Sequence, residues 1–164
     1  MIPQPCVAYI LLFPITDKTE QFRADEEARL ASEERAPNVV WMKQTIGNAC
    51  GTVGIIHALL NSPQVTMGQE SIIGAFKEAA QGKTGEDIGA LLEGNAEIAN
   101  LHARTSQAET NQTQANESTK VRDHFVALVS VDNVLYEVSF FNVKYLKIRK
   151  ILVLMIHKST YFLF

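Results

Sequence analysis

The chain has 164 residues, enough for one domain with an ordinary buried core, and its 46% hydrophobic and 20% charged residues are typical of a globular protein. Residues 1–137 carry 18 acidic and ten basic residues, whereas residues 138–164 carry five basic residues and no acidic one. An acidic main part argues against nucleic acid as a partner, and the longest apolar run near the C-terminus, residues 151–156, is far shorter than the roughly 20 residues that span a bilayer.

The two cysteines, Cys6 and Cys50, are far apart and form no ligand-spaced group with the four histidines. This spacing predicts no structural zinc, and we expect no cofactor. Residues 1–5 do not resemble a secretory signal, so we expect a reducing, cytoplasmic compartment and a monomeric protein without a membrane association.

The first predicted elements are a strand, a charged helix and an apolar helix. Residues 7–13 form an apolar run stopped by Pro14, which is typical of a strand buried on both faces. The charged stretch 20–34, after the candidate caps Thr16 and Asp17, predicts an exposed helix. Residues 50–60 (CGTVGIIHALL) are apolar almost all round, which predicts a helix buried on all sides.

The second half of the chain predicts further helices, a loop and a β-hairpin. Helices are expected at about 69–80 and about 86–101. Residues 103–122 are rich in Gln, Asn, Thr and Ser, which indicates a mobile loop of a kind that is often functional. Two apolar runs, 125–131 and 134–138, flank a two-residue turn and predict a hairpin, with His124 at the beginning of its first strand.

Cys50 is a candidate nucleophile because the loop 47–49 becomes a buried helix at this residue. Unpaired backbone N–H groups and the helix dipole favour a thiolate at such a position. Gln44 could donate its amide N–H to an oxyanion together with the Cys50 backbone N–H, and His124 is the candidate base. Taken singly, a cysteine in an apolar helix is more often a small buried hydrophobic residue, and His124 more often an ordinary boundary residue.

The remaining histidines have no assigned chemistry. His57, inside the apolar helix, is interpreted as a core histidine, whereas His102 and His157 are interpreted as residues of the loop and of the C-terminal tail.

The string KQTIGNACGTVGIIHA at residues 43–58 resembles the signature of the ubiquitin carboxyl-terminal hydrolases, which are papain-like cysteine peptidases. Further matches are LLFPIT at 11–16, DHFVALV at 123–129 and LYE at 135–137. The resemblance implies an α/β papain-like fold, with a central, mostly antiparallel sheet flanked by helices. It also implies that Cys50 is the nucleophile, Gln44 the oxyanion stabiliser and His124 the general base and then acid.

The activity that the resemblance implies is hydrolysis of ester, thioester, amide or isopeptide bonds at the C-terminal glycine of ubiquitin. Ubiquitin or a ubiquitin-like protein is then the partner, and residues 103–122 lie where this family has a loop crossing the active site. Residues that would bind the substrate are not indicated.

The chain departs from the family pattern in two ways. It lacks the family's segment before the LLFP strand, and Ser139 stands where the family has the aspartate that orients the histidine. We therefore expect residues 1–138 to be a catalytic domain and residues 139–164 an unmatched basic and apolar tail. Weak or absent turnover is expected, and the alternative function is a non-catalytic ubiquitin-binding fragment or an unstable truncated product.

Overall fold

The computed structural model describes residues 6–30, 38–47, 49–68, 70–106, 122–139 and 146–148. The helices and strands within these ranges follow the order β1 Ala8–Ile15, α1 Asp17–Leu30, α2 Cys50–Leu60, α3 Ile72–Ala80, α4 Gly85–Glu93, α5 Ala96–Ser106, β2 Arg122–Val131, β3 Val134–Val138 and β4 Leu146–Ile148. The strands form one sheet in the order β1-β2-β3-β4, and every neighbouring pair is antiparallel. This is the predicted α/β architecture.

The β2–β3 hairpin confirms the predicted turn. Val131 pairs with Val134, and the two residues between them, Asp132 and Asn133, have φ angles of 51° and 61°. Two successive positive φ angles are typical of a type I′ turn, whose twist matches that of the strands. Strand β2 begins earlier than predicted, so His124 lies inside the strand and pairs with Phe13 of β1.

Strand β1 is not buried on both faces, and that prediction was wrong. It lies at an edge of the described sheet, and Leu11 and Leu12 are 47% and 44% exposed. Pro14 does not stop the strand but pairs with Asp123 inside it. An edge strand tolerates proline because one side of its backbone needs no ladder hydrogen bonds.

Helix α2 lies between two groups of buried side chains. Val53, Ile56 and Leu60 pack into a cluster with residues of the loop before α2 and of α3, α4 and α5, whereas Ala58 packs against β2 and β3. The helix is not buried on all sides as predicted, because Ile55 is 42% exposed.

Polar caps explain why several helix boundaries differ from those predicted. Helix α1 begins earlier, at Asp17, where the Thr16 hydroxyl accepts from the Thr19 N–H; residues 31–34 of the predicted helix lie outside the described residues. Helix α3 begins later, after Ser71. The single helix expected at 86–101 is two helices, because Asn95 accepts a hydrogen bond from the Ile98 N–H and starts α5.

The predicted loop and tail fall largely outside the described residues. Residues 103–106 belong to α5 rather than to a loop, residues 107–121 are not described, and the tail is described only at Ser139 and at 146–148. Strand β4 pairs with residues 135–137 of β3, so part of the tail extends the sheet.

Candidate active site

Cys50 is the first residue of α2, as the sequence predicts. Its side chain is partly buried, and Ala49, the residue before it, is buried and provides no side-chain cap to the helix. Backbone N–H groups of an uncapped first turn can donate to an anion at this point. The local geometry therefore suits an oxyanion derived from an attacked carbonyl.

Gln44 lies in the extended segment before α2 and has one engaged amide hydrogen. Its Nε2 donates to the carbonyl oxygen of Ile46 at 2.7 Å, whereas its Oε1 is buried without a partner among the described residues. A primary amide carries two N–H donors, so one of them can still serve an oxyanion. The hydrogen bond to Ile46 restricts the direction in which that second donor points.

His124 is 1% exposed and lies near an aromatic ring of β1 and a charged group of α1. Its ring meets the Phe13 ring edge-on, with 5.6 Å between the ring centroids. The Arg23 guanidinium lies 5.1 Å from the centre of the same Phe13 ring and forms a 2.7 Å ion pair with Glu137. These contacts attach α1 to the sheet beside the histidine.

Burial, together with the positive charge of Arg23, lowers the pKa of His124 to about 4. The imidazole is therefore neutral at pH 7, the form that can accept a proton from a thiol. No carboxylate stands at residue 139 to stabilise the protonated form. Ser139 is 6% exposed, and its backbone carbonyl accepts a hydrogen bond from the Trp41 indole N–H at 2.8 Å.

The structure brings the segments carrying Cys50 and His124 together. A Cβ atom placed on Gly51, next to Cys50, would lie 3.5 Å from the ring of Phe125, next to His124. Gly54, one turn further along α2, also contacts Phe125. Within the described part of the chain, however, no hydrogen bond involves the Cys50 thiol. Successive side chains of a strand point to opposite faces of the sheet, so the contact of α2 with Phe125 does not place the His124 ring against Cys50. Among the described residues, the neighbours of the His124 ring include Phe13 and Arg23.

Of the other histidines, His57 is buried as predicted and His102 is not where it was predicted. His157 lies outside the described residues. His57 is fully buried, as expected of a core histidine, and its Nε2 accepts a hydrogen bond from the Met42 N–H at 3.0 Å. Its Nδ1 is buried without a partner among the described residues, so His57 is not the fully satisfied histidine that was expected. His102 is not a loop residue. It lies in α5, and its Nδ1 is hydrogen-bonded to the hydroxyl of Thr52 in α2 at 2.9 Å, because α5 extends further than predicted.

Sequence reasoning missed the residues that hold the segment carrying Gln44. The buried side chain of Asn61 accepts from the Val40 N–H and donates to the Val40 carbonyl, both at 2.7 Å. Gly85 and Gly89 face the same segment from α4. The spacing of these glycines, four residues apart in a helix, was the available signal, because it indicates a face that admits close backbone approach.

Two further classes of site are not found in the described residues. No group of three or more His, Cys, Asp or Glu residues is placed there to hold a metal ion. None of the described helices is both long enough and apolar enough to cross a membrane.

Comparison with known proteins identifies similar sequences and structures. The chain is 38% identical over 138 residues to ubiquitin carboxyl-terminal hydrolase isozyme L1 of Homo sapiens, covering 83% of this chain and 60% of that protein. It is 39% identical over 143 residues to a probable ubiquitin carboxyl-terminal hydrolase of Dictyostelium discoideum, covering 84% of this chain and 54% of that protein. The chain therefore spans a little more than half the length of these relatives.

A solved structure of the Trichinella spiralis UCH37 catalytic domain, bound to ubiquitin vinyl methyl ester, has the same fold. The TM-score is 0.64 at 22% identity, and the match covers 90% of this chain and 61% of that one. The sequence profile of the family described as ubiquitin carboxyl-terminal hydrolase, family 1, matches residues 1–139, which include Gln44, Cys50 and His124. The chain belongs to the ubiquitin carboxyl-terminal hydrolase family.

Proposed function

We propose that this chain is a thiol-dependent hydrolase that acts at the C-terminal glycine of ubiquitin or of a ubiquitin-like protein. The observation that carries the proposal is the position of Cys50, at the uncapped start of a helix packed between the sheet and the other helices. Gln44 lies in the segment that leads to this helix, and Gly51, which follows Cys50, packs against Phe125, the residue after His124.

The proposed reaction is an acyl transfer through a thioester. The neutral imidazole of His124 accepts the thiol proton as Sγ of Cys50 attacks the glycine carbonyl. The Cys50 backbone N–H and the Gln44 amide donate to the oxyanion that forms. The imidazolium then protonates the leaving amine, alcohol or thiol, and water, deprotonated by His124, hydrolyses the thioester to release the free carboxylate and the thiol.

The family of the chain supports ubiquitin as the partner. The structure from Trichinella spiralis is bound to a ubiquitin derivative that ends in a vinyl methyl ester. A diglycine terminus also suits a narrow cleft, because glycine has no side chain to clash with its walls.

Ser139 limits the expected rate. In serine proteases, an uncharged replacement of the orienting aspartate lowers kcat by about 10⁴-fold. A thiol is more acidic than a serine hydroxyl and depends less on that carboxylate, so we expect slow turnover rather than none.

The remaining parts of the proposal concern organisation and location. Residues 1–138 would be the catalytic domain, and residues 139–164 a tail that contributes β4. The chain would act as a monomer in the cytoplasm, without nucleic acid or membrane. The acidic balance of residues 1–137 supports the exclusion of nucleic acid.

The test is hydrolysis of ubiquitin carrying a C-terminal fluorogenic amide. The wild-type chain is expected to release the fluorophore slowly, and Cys50→Ala is expected to release none. Cys6→Ala is the matched control, because it removes the other free thiol, whose hydrogen bonds are to residues nearby in sequence, including the Ala8 carbonyl. Equal rates in wild type and Cys50→Ala would overturn the proposal; binding of ubiquitin without any turnover would indicate a non-catalytic binding fragment.

A further inference from the structure

Helix α4 presents two glycines to the segment that carries Gln44. A Cβ atom on Gly89 would lie 2.6 Å from the backbone oxygen of Lys43, and one on Gly85 would overlap the buried ring of Trp41. Real Cβ atoms do not approach a backbone oxygen this closely, so only glycine permits the observed packing. The two backbones are therefore in direct contact on both sides of residue 42.

Hydrogen bonds hold this contact in a single register. The Lys43 N–H donates to the Gly85 carbonyl at 3.0 Å, and the Thr45 hydroxyl donates to the Gly89 carbonyl at 3.2 Å. Gln44 lies between these two anchors, and its own amide is tied to Ile46 at 2.7 Å. Its backbone is consequently fixed on both sides by one helix that carries none of the proposed reacting groups.

We propose that Gly85, Gly89 and Thr45 are positioning residues that set the place of the Gln44 amide through the α4 backbone. This inference rests on the proposed function for its catalytic consequence. A donor that stabilises an oxyanion must be held in place before the charge forms, and a displacement of about 1 Å can cost on the order of 10²-fold in rate. A methyl group at residue 89 would push the Lys43 carbonyl away from α4 and move Gln44 with it.

The first test uses Gly89→Ala, with Gly94→Ala as the matched control. Gly94 ends the same helix, has φ −78°, and a Cβ there would meet only an ordinary 3.5 Å contact with the Ala90 carbonyl. Gly89→Ala is expected to lower kcat on the fluorogenic ubiquitin amide by about 10- to 100-fold with little change in KM. Alkylation of Cys50 by iodoacetamide, which forms no oxyanion, is expected to stay unchanged, as is kcat in the control.

A double-mutant cycle separates positioning from a general loss of structure. If Gly89 acts through Gln44, Gly89→Ala has no further effect on kcat in a Gln44→Ala background. A full, additive loss in that background would overturn the inference. Thr45→Val keeps the side-chain shape and removes only the hydroxyl donor, so it gives the same test, with a smaller loss, should Gly89→Ala fail to fold.

A second readout does not depend on activity. The side-chain amide signals of Gln44 in an NMR spectrum, assigned by their absence from Gln44→Ala, are expected to shift and exchange faster with water in Gly89→Ala but not in Gly94→Ala. Unchanged Gln44 signals in Gly89→Ala would overturn the inference even if the chain is active. If the wild-type chain has no turnover, the proposed function fails, and this readout alone decides whether α4 positions Gln44.

Discussion

At the scale of single residues, two buried histidines have lowered pKa values that could not be predicted from composition or residue spacing. Burial lowers the pKa of His57 to about 4, and burial with the charge of Arg23 lowers that of His124 to about 4. The sequence predicted the role of His57 as a core residue because it lies in an apolar helix. The surroundings of His124 include Phe13 of β1 and Arg23 of α1, which are distant in sequence, so no local pattern could indicate them.

Both histidines make the stability of the fold depend on pH. Their pKa values are lower in the folded state than the usual 6.5, so the unfolded chain binds more protons once the pH falls below 6.5. The stabilisation is present above pH 6.5 and is lost as the pH falls towards 4. We expect the free energy of unfolding in urea to be about 2 kcal/mol lower at pH 5 than at pH 7 for each histidine.

The variant His57→Gln isolates one of these contributions. Glutamine retains a side-chain acceptor for the Met42 N–H but does not titrate, so the loss between pH 7 and pH 5 should shrink by about half. A wild-type chain that is equally stable at both pH values would contradict the assignment of neutral, buried histidines.

Ser139 provides a gain-of-function prediction. Val138 pairs with Ala127, and continuing this register sets residue 139 opposite Val126. Val126 and His124 are two residues apart in β2 and share a face of the sheet, so a carboxylate at residue 139 can stabilise the imidazolium. We expect Ser139→Asp to raise kcat on the fluorogenic ubiquitin amide by about 10-fold or more. It should also lower stability somewhat, because residue 139 is buried. We also expect it to raise the pKa of His124, measured by NMR titration.

Ser139→Asn is the matched control, since it has the same size as Asp without the charge. If Asp and Asn change kcat and the pKa of His124 equally, residue 139 does not act through its charge, and the missing carboxylate is not the cause of the slow rate.

At the scale of elements, structure that depends on local residue types was predicted correctly, whereas the exposure of side chains, which depends on packing between elements, was not. The type I′ turn at Asp132-Asn133 and the helix that begins at Cys50 follow from local residue types, and both were predicted. The exposure of Leu11 and of Ile55 depends on which elements cover them, and a run of apolar residues cannot show that. Gln44, Cys50 and His124 stay predicted site residues, whereas the residues that hold the segment of Gln44 in place, such as Asn61, were not predicted.

Asn61 is one of those supports, because it joins the end of α2 to the segment that carries Gln44. Its side chain satisfies both backbone groups of Val40 and also donates to the His57 carbonyl at 2.8 Å. Asn61→Ala leaves the N–H and C=O of the partly buried Val40 without these partners, so we expect a loss of about 1–3 kcal/mol in the free energy of unfolding.

Urea denaturation measures this loss, and Asn61→Asp serves as the control. Aspartate can still accept from the Val40 N–H but cannot donate to the two carbonyls, so it should not restore wild-type stability. A change of less than about 0.5 kcal/mol in Asn61→Ala would show that the hydrogen bonds between Asn61 and Val40 contribute little to stability.

At the scale of the whole molecule, the sheet extends beyond the part of the chain that matches the family. Residues 1–139 match the family profile, and the sheet continues past that match through β4. Strand β4 covers part of the outer edge of β3 and so reduces the length of open sheet edge there. We therefore predict that Cys50 acts as a nucleophile towards the C-terminus of ubiquitin.

The most direct measurement is covalent capture by ubiquitin vinyl methyl ester, followed by intact mass and by peptide mapping of the adduct. We expect one ubiquitin to be added to the wild-type chain and to Cys6→Ala, with the linkage on Cys50, and no adduct to form on Cys50→Ala. Capture on Cys6, or no capture by a chain that unfolds cooperatively and binds ubiquitin, would contradict it.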